Sequence, residues 1–472
     1  MFLYDMDRTG KVPLYEQLTR YIQNDILEGR LTAGTHLPSK RQAARDLGVS
    51  IMTVQGAYGQ LLAEGYIRAE ERRGYFVAQI ERLDAPSMTV PPVHREVRHA
   101  HVEDTVLDVT KNRVAAGLFP FSTWSKLSRR ILSEQGEGLL NPVPFNGVAA
   151  LREAIADVLW RRCGMLVSSE QILIGSGNES LYGTLLTLLG RQSVYAVETP
   201  GYPLIDRLYR RQGVTVRHIA LDEQGICTKA LEESDATVVH ISPAHHFPTG
   251  TVTSVMRRQE LLKWAAAEEG RYIIEDDYDS EFRLSGRSIP PLQRMDRNGR
   301  VIYMNTFSKT VAPSLRISYA VLPRELMDEY RRQLGFLSCP VAAFEQHTLA
   351  AFIREGYFDR HINRLRTHYR TLRDGLVEAL SNGPLAGRCH PVRDDAGLHF
   401  LVKVDVPPQV DDLTLTRAAL DCGLRIHALS EYGHRDGAAD SHTLILNYSG
   451  LSCEDISTFA SRLEQTLAYI QG

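Results

Sequence analysis

An apolar run, Val301-Ile302-Tyr303-Met304-Asn305-Thr306-Phe307-Ser308-Lys309, delivers a lone lysine into a loop of small polar residues, and Arg316 follows a short distance on. A strand end is a stiff mount, and a lysine fixed there can form a Schiff base with an aldehyde. Thr306, Ser308 and Arg316 offer the hydrogen-bond donors and the charge that hold a phosphate. Upstream, Ile273-Ile274-Glu275-Asp276-Asp277-Tyr278 is a second apolar run that ends in carboxylates. A protonated pyridine nitrogen requires a buried aspartate, and Asp276 and Asp277 both stand where one is needed. An aldehyde, a phosphate and a pyridine together describe pyridoxal 5'-phosphate (PLP), so the two segments jointly point to that cofactor. Singly, each has a plainer explanation: a Ser-Lys pair at a strand end is ordinarily a solvated loop.

Three further groups fit the same chemistry. Ile174-Gly175-Ser176-Gly177-Asn178-Glu179 ends an apolar run and opens a helix predicted over 180–189. Small residues there let backbone N–H groups at a helix N-terminus approach a phosphate, although a tight strand-to-helix turn uses the same residues. Glu198-Thr199-Pro200-Gly201-Tyr202 places an aromatic after a turn, where it could stack on a pyridine ring or simply pack. Tyr278 has a hydroxyl to donate to a 3' oxygen.

The elements that must position these groups alternate. Apolar strands are predicted at 171–174, 193–197, 237–241, 272–274, 301–304 and 317–321, separated by helical stretches. That alternation predicts an α/β body with a mostly parallel sheet over 105–472, and the segments 397–404 and 443–448 suggest a smaller α/β subdomain at its end. Residues 79–104, with Pro86, Pro91 and Pro92 and no hydrophobic period, read as a linker.

Residues 12–78 are organised differently. Leu14, Leu18, Ile22, Ile26 and Leu27 recur at helical spacing; Ser39 caps a second helix that stops at Gly48; Ser50 caps a third, bearing Val54, Tyr58, Leu61 and Leu62. Two short β stretches then flank a charged turn. Helix, turn, helix and hairpin outline a winged helix-turn-helix, whose third helix would enter a major groove. Ser50, Met52, Thr53 and Gln55 would face bases and phosphates, and Ser39, Lys40 and Arg41 the backbone. Tyr58 joins this DNA-binding set, and Gly74 makes a tight wing tip.

The remaining composition bounds the answer. A chain of 472 residues, 43% hydrophobic, suits two or three domains with a large core. A net charge of -3 gives no global pull toward nucleic acid or membrane, so any DNA affinity must be local. Six scattered cysteines without C-x-x-C spacing argue against a zinc site or a disulfide framework, and no metal is expected. Neither a signal peptide nor a bilayer-spanning run is visible, which predicts a cytoplasmic protein without a membrane partner.

The wording Leu37-Pro38-Ser39-Lys40-Arg41, Leu47-Gly48-Val49-Ser50, Thr53-Val54, Ala57-Tyr58 and Glu64-Gly65-Tyr66 closely resembles the winged helix of GntR-type transcriptional regulators. One departure matters: such helices carry arginine after the capping residue, and here that position is Ile51. The later segments, read in order, resemble class I aminotransferases, and the fusion resembles the MocR subfamily, with IIEDDYDSEF (273–282) and NTFSK (305–309) as its phrases. The resemblance implies that Lys309 carries PLP as a Schiff base and that Asp276, not Asp277, pairs with the pyridine nitrogen. It implies that Tyr278 meets the 3' oxygen, Tyr202 stacks on the ring, and Ser176, Gly177, Asn178, Thr306, Ser308 and Arg316 hold the phosphate.

Departures bear on function. Aminotransferases place an asparagine before a Pro-Thr-Gly turn; here His245-His246-Phe247-Pro248-Thr249-Gly250 puts Phe247 there, with His245 or His246 left to supply a polar group. A late arginine that would clamp a substrate carboxylate is missing from 446–451, and Pro203 and Leu204 stand where the GABA-sensing member has basic residues. The resemblance therefore implies a homodimeric DNA-binding regulator on an operator with two half-sites, sensing PLP or an amine other than GABA. A working PLP-dependent aminotransferase is the alternative.

Overall fold

The computed structural model describes residues 4–8, 12–80, 106–111, 114, 116–284, 290–392, 397–433 and 442–471. The chain divides into two compact units, Met1–His101 and Val102–Gly472. The expected linker lies outside the described residues from 81 onward.

In the first unit, α1 (Leu14–Leu27), α2 (Lys40–Leu47) and α3 (Ile51–Ala63) close around a core of Leu18, Ile22, Leu37, Val54, Tyr58, Leu61, Ile67 and Val77. The apolar period of α1 buries Leu18, Ile22 and Ile26 and leaves Leu27 outside. Ser39 Oγ accepts the Gln42 N–H at 3.2 Å, and Ser50 Oγ accepts the Thr53 N–H at 3.0 Å, so both predicted caps fix helix starts. The wing has three strands rather than two. β1 (His36–Leu37) pairs antiparallel with β3 (Gly74–Val77), which also pairs with β2 (Ile67–Glu70). A two-residue strand has too little alternation to announce itself in sequence.

In the second unit a large mixed sheet takes the strands β4 (Ile172–Gly175), β5 (Val194–Thr199), β6 (Thr215–Asp222), β7 (Gly225–Ile226), β8 (Val238–Ile241), β9 (Tyr272–Asp276), β10 (Val301–Thr306) and β11 (Ser318–Val321). Their spatial order is β4-β11-β10-β9-β8-β5-β6-β7. Strands β10, β9, β8, β5 and β6 are mutually parallel; β11 runs against both β10 and β4, so β4 shares the parallel direction. Sequence order runs outward from β5 to β6 on one side and from β8 through β9 to β10 on the other, so the winding reverses between β5 and β8. Open α/β sheets bind ligands beyond the strands' carboxyl ends at such a reversal.

Helices cover both faces. Ile273 packs with Leu261 and Trp264 in one core, while its neighbour Ile274 packs with Leu181, Leu185 and Met304 in the other. The smaller antiparallel sheet, Cys389–Val392, His399–Val404, Thr443–Asn447 and His427–Ala428, lies where a terminal subdomain was expected. All six cysteines are free thiols. No helix among the described residues is long and apolar enough to cross a membrane.

Candidate functional site

The carboxyl ends of β5, β8, β9 and β10, with the start of helix Asn178–Leu189, surround a cavity of about 1040 Å³. Asn178, Tyr202, Asp276, Tyr278, Thr306, Ser308, Lys309 and Arg316 all line it. Ser176, Gly177 and His245 do not.

The strand period separates the two candidate aspartates. Asp276 shares the face of Ile274 and so points at helix Asn178–Leu189. There it accepts a hydrogen bond from the Tyr182 hydroxyl and another, at 3.3 Å, from Asn178 Nδ2. His240 Nε2 stands 3.5 Å from the same carboxylate, and its Nδ1 is 2.7 Å from the Tyr209 hydroxyl. Asp277 turns the other way, accepting from Tyr303 Oη and Ser280 Oγ at 2.8 Å each. Burial pushes the Asp277 carboxyl up to about 6. Only Asp276 reaches the cavity.

Across the cavity, burial draws the Lys309 ammonium below its ordinary pKa, while the charge of Asp279 pulls the other way. An amine with a lowered pKa is more often free to act as a nucleophile. Thr306 Oγ1 accepts from the Ser308 N–H at 3.1 Å and stands 2.8 Å from Ser318 Oγ, which fixes the loop beneath the lysine. Arg316 pairs with Glu179 in the first turn of helix Asn178–Leu189. Gly177, at φ 83°, brings the backbone so close that a Cβ there would lie 2.4 Å from Arg316 Nη2.

The aromatic wall differs from the expected pattern in a definite way. Tyr202 meets Phe247 edge to face at 5.8 Å, and Phe247 also packs on His399 and Tyr432, at 4.9 Å and 5.3 Å. His245 is buried behind Tyr278: its Nδ1 is 2.9 Å from Asp279 Oδ2 and 3.4 Å from the Tyr278 hydroxyl. Of this adjacent pair it is His246 that lines the cavity, 3.5 Å from Glu198 Oε2. Asn447 lines the cavity from the arginine-free late stretch, and Arg425 is exposed outside it.

Sequence reasoning passed over Tyr182, His240 and Glu198. Tyr182 follows Asn178 by one helical turn, a spacing that faces both residues the same way. His240 interrupts the apolar strand Val238–Ile241. Glu198, one residue before the end of β5, is a buried carboxyl that burial pushes up to about 8; one oxygen accepts the Ser242 N–H at 2.9 Å and the other has no hydrogen-bond partner.

In the first unit, Ser39, Arg41, Ser50, Met52 and Gln55 are exposed, Lys40 and Thr53 are half-buried, and Lys40 Nζ sits 5.5 Å over the Tyr75 ring. Tyr58 departs from the DNA-facing set. It is fully buried and donates its hydroxyl to the Pro38 carbonyl at 2.9 Å, which anchors the start of α2 from inside. Gly74 departs from the expected wing tip: the turn is 71–73, and Gly74 opens β3 opposite Glu70, where a Cβ would lie 2.9 Å from His36 Nε2.

Residues 14–77 match the family of bacterial regulatory proteins, gntR family, and residues 103–450 match aminotransferase class I and II. The probable rhizopine catabolism regulatory protein MocR of Rhizobium meliloti is 31% identical over 461 residues, covering 94% of this chain and 92% of that protein. This chain is a MocR-type GntR regulator. The HTH-type pyridoxine biosynthesis transcriptional regulator PdxR of Corynebacterium glutamicum is 31% identical, with 89% of each chain covered. An uncharacterized HTH-type regulator of Bacillus subtilis, YdeL, is 35% identical over 97% of this chain and 98% of its own. Among solved structures, a multiple substrate aminotransferase from Thermococcus profundus superposes with a TM-score of 0.68 at 25% identity, over 78% of this chain and 92% of the other.

As a MocR-type regulator, the protein is a DNA-binding transcriptional regulator whose aminotransferase-like domain binds PLP. The cavity fits that cofactor on its own geometry. Gly177 lets the Arg316 guanidinium lie against the backbone at the helix start, where any Cβ would collide with it, and Arg316 itself lines the cavity as a cation for a phosphate. Asn178 Oδ1 is buried without a hydrogen-bond partner, and Asp276 and Lys309 line the same cavity. PLP, when bound, supplies an aldehyde for an amine and a ring that draws electrons from it.

Proposed function

We propose that this chain senses PLP itself, or an amine without an α-carboxylate clamp, and reports the result to an operator through its winged helix. Lys309 holds the cofactor covalently in this reading, and Asp276, oriented by Tyr182 and Asn178, pairs with the ring nitrogen. Tyr278 meets the 3' oxygen and Tyr202 covers the ring. Asn178, Thr306, Ser308 and Arg316, with Ser176 and Gly177 beneath, hold the phosphate, and Arg316 exchanges Glu179 for it. His245 acts from behind Tyr278.

The observation that carries the reading is a cavity equipped with a lysine and a matched aspartate, to which the late stretch 446–451 contributes Asn447 and no arginine. An amine that took the cofactor's aldehyde would release the Lys309 side chain into the buried wall beside Asp279. Freeing that side chain, and the repacking it allows, is what would bias a two-state element. The protein acts as a cytoplasmic homodimer whose two heads read two half-sites.

The test is the visible spectrum of the purified protein titrated with candidate amines, with a keto-product assay on the same samples. A Lys309-dependent band that shifts without product, and is absent in Lys309→Ala, supports a sensor. Stoichiometric keto product would replace this reading with that of an aminotransferase.

A further inference from the structure

Helix α3, IMTVQGAYGQLLA, contains no charged residue. Its first turn instead exposes two large apolar side chains: Ile51 is 47% and Met52 73% exposed. The polar neighbours are already committed. Ser50 Oγ accepts the Thr53 N–H at 3.0 Å and lies 2.9 Å from Thr53 Oγ1, so these hydroxyls serve the cap. Next on the outer face comes Gln55, exposed and without a hydrogen-bond partner among the described residues. The free reading groups of the helix tip are therefore two hydrocarbon chains and one amide.

Cations surround this tip but are not on it. Arg41 and Arg45 are exposed on α2, and Arg8 Nη2 donates to the Gly48 carbonyl at 2.8 Å in the turn between α2 and α3. A polyanionic partner is thus drawn to the rim and meets hydrocarbon at the centre. In a major groove only thymine presents a methyl group to such a surface, whereas guanine presents acceptors that call for a cation. An amide that offers a donor and an acceptor together matches adenine N7 and N6.

The geometry points to a half-site read through thymine methyl groups against Ile51 and Met52, with an adenine opposite Gln55, in place of guanine recognition by arginine. This rests on the reading of α3 as the helix that enters the major groove. Ile51 and Met52 are specificity-determining residues in that reading, and the cations of α2 supply affinity without sequence preference.

The experiment starts from a randomised duplex pool bound by the full-length, PLP-loaded protein. Each thymine of the enriched duplex is then replaced by deoxyuridine, which lacks only the methyl group. At one or two positions per half-site the expected loss is roughly three- to tenfold. Ile51→Ala or Met52→Ala should weaken binding to the thymine duplex and erase the thymine–uracil difference. Both side chains are exposed, so both variants should fold, and thermal melting checks this. Ile51→Arg should shift enrichment toward guanine at the affected position. Equal binding of thymine and uracil duplexes throughout, or enriched half-sites built on G·C pairs, would overturn the inference while leaving DNA binding intact. A pool that yields no enriched sequence would overturn the DNA-binding reading along with it.

Discussion

The cofactor cavity and the tip of α3 are built on opposite plans. The cavity gathers side chains from strand ends far apart in sequence, from Asn178 to Arg316, and most are already held by a neighbour: Asp276 by Tyr182 and Asn178, Thr306 by Ser308, Arg316 by Glu179. The tip of α3 uses adjacent residues, presents them outward, and holds only the cap. Preorganisation is what a small ligand demands, because its few atoms cannot repay the ordering of a loose site. A duplex brings phosphates enough to position the head, which leaves the tip free to discriminate. Substitutions in the cavity should therefore be felt by the fold, and substitutions on the head mainly by the partner.

The sharpest test of that contrast is Glu198. Its carboxyl is ordinarily at 4.5 and is pushed up to about 8 by burial. Between those values the folded chain keeps a proton that the unfolded chain has lost, so stability falls as pH rises through the window and levels off above it. Glu198→Gln can still accept the Ser242 N–H through its amide oxygen but cannot ionise. Relative to the parent, it should gain on the order of 3 kcal/mol between pH 5 and pH 8, read from urea unfolding midpoints. Parallel pH dependences for the two proteins would mean that the carboxyl is better solvated than the fold suggests.

Gly177→Ala comes next. At φ 83° and ψ 165° the backbone lies in a region that side chains scarcely enter, and the new Cβ would press on Arg316. PLP affinity should fall by roughly tenfold or more, measured by fluorescence titration of the apoprotein. Gly183→Ala is the control: it lies within the helix that Gly177 caps, with nothing within 4 Å of its added Cβ, and should leave affinity unchanged.

These two glycines also mark how far the sequence could be read. Gly177 was legible because its neighbours spell a strand, a turn and a helix in order, and the alternation of strands and helices carried the sheet likewise. The strand pattern alone did not separate Asp276 from Asp277, and only the family resemblance chose Asp276, since the physical choice depends on which face of β9 meets helix Asn178–Leu189. The same tertiary fact hides Tyr182 and His240, which act only once that helix lies over the strand. His245 and His246 posed a smaller version of the problem: adjacent residues point opposite ways, and the backbone path of the loop decided which one reached the cavity. In the head, Tyr58 was placed with the DNA-facing residues although it belongs to the apolar period of its own helix, and burial in the core is what that period implies.

A smaller effect separates structure from recognition within the head itself. Ser50→Ala removes the cap of α3 and should cost about 1 kcal/mol of stability, seen as a lower melting temperature for the head. Affinity for every duplex should drop with it, because the helix tip frays.

Arg41→Ala should have the smallest effect. The side chain is exposed and makes no ion pair among the described residues, so nothing in the fold depends on it. If it meets a phosphate, its loss weakens all duplexes alike, by roughly a few-fold, and lowers the slope of log affinity against log salt by about 1. Met52→Ala should do the reverse, leaving the salt slope alone and weakening only duplexes with the methyl group in place. Titrations of both variants at several salt concentrations, on thymine and uracil duplexes, read the two effects side by side. A Met52 variant that changes the slope, or an Arg41 variant that discriminates between thymine and uracil, would mean that the tip and the rim of the head do not divide recognition in this way.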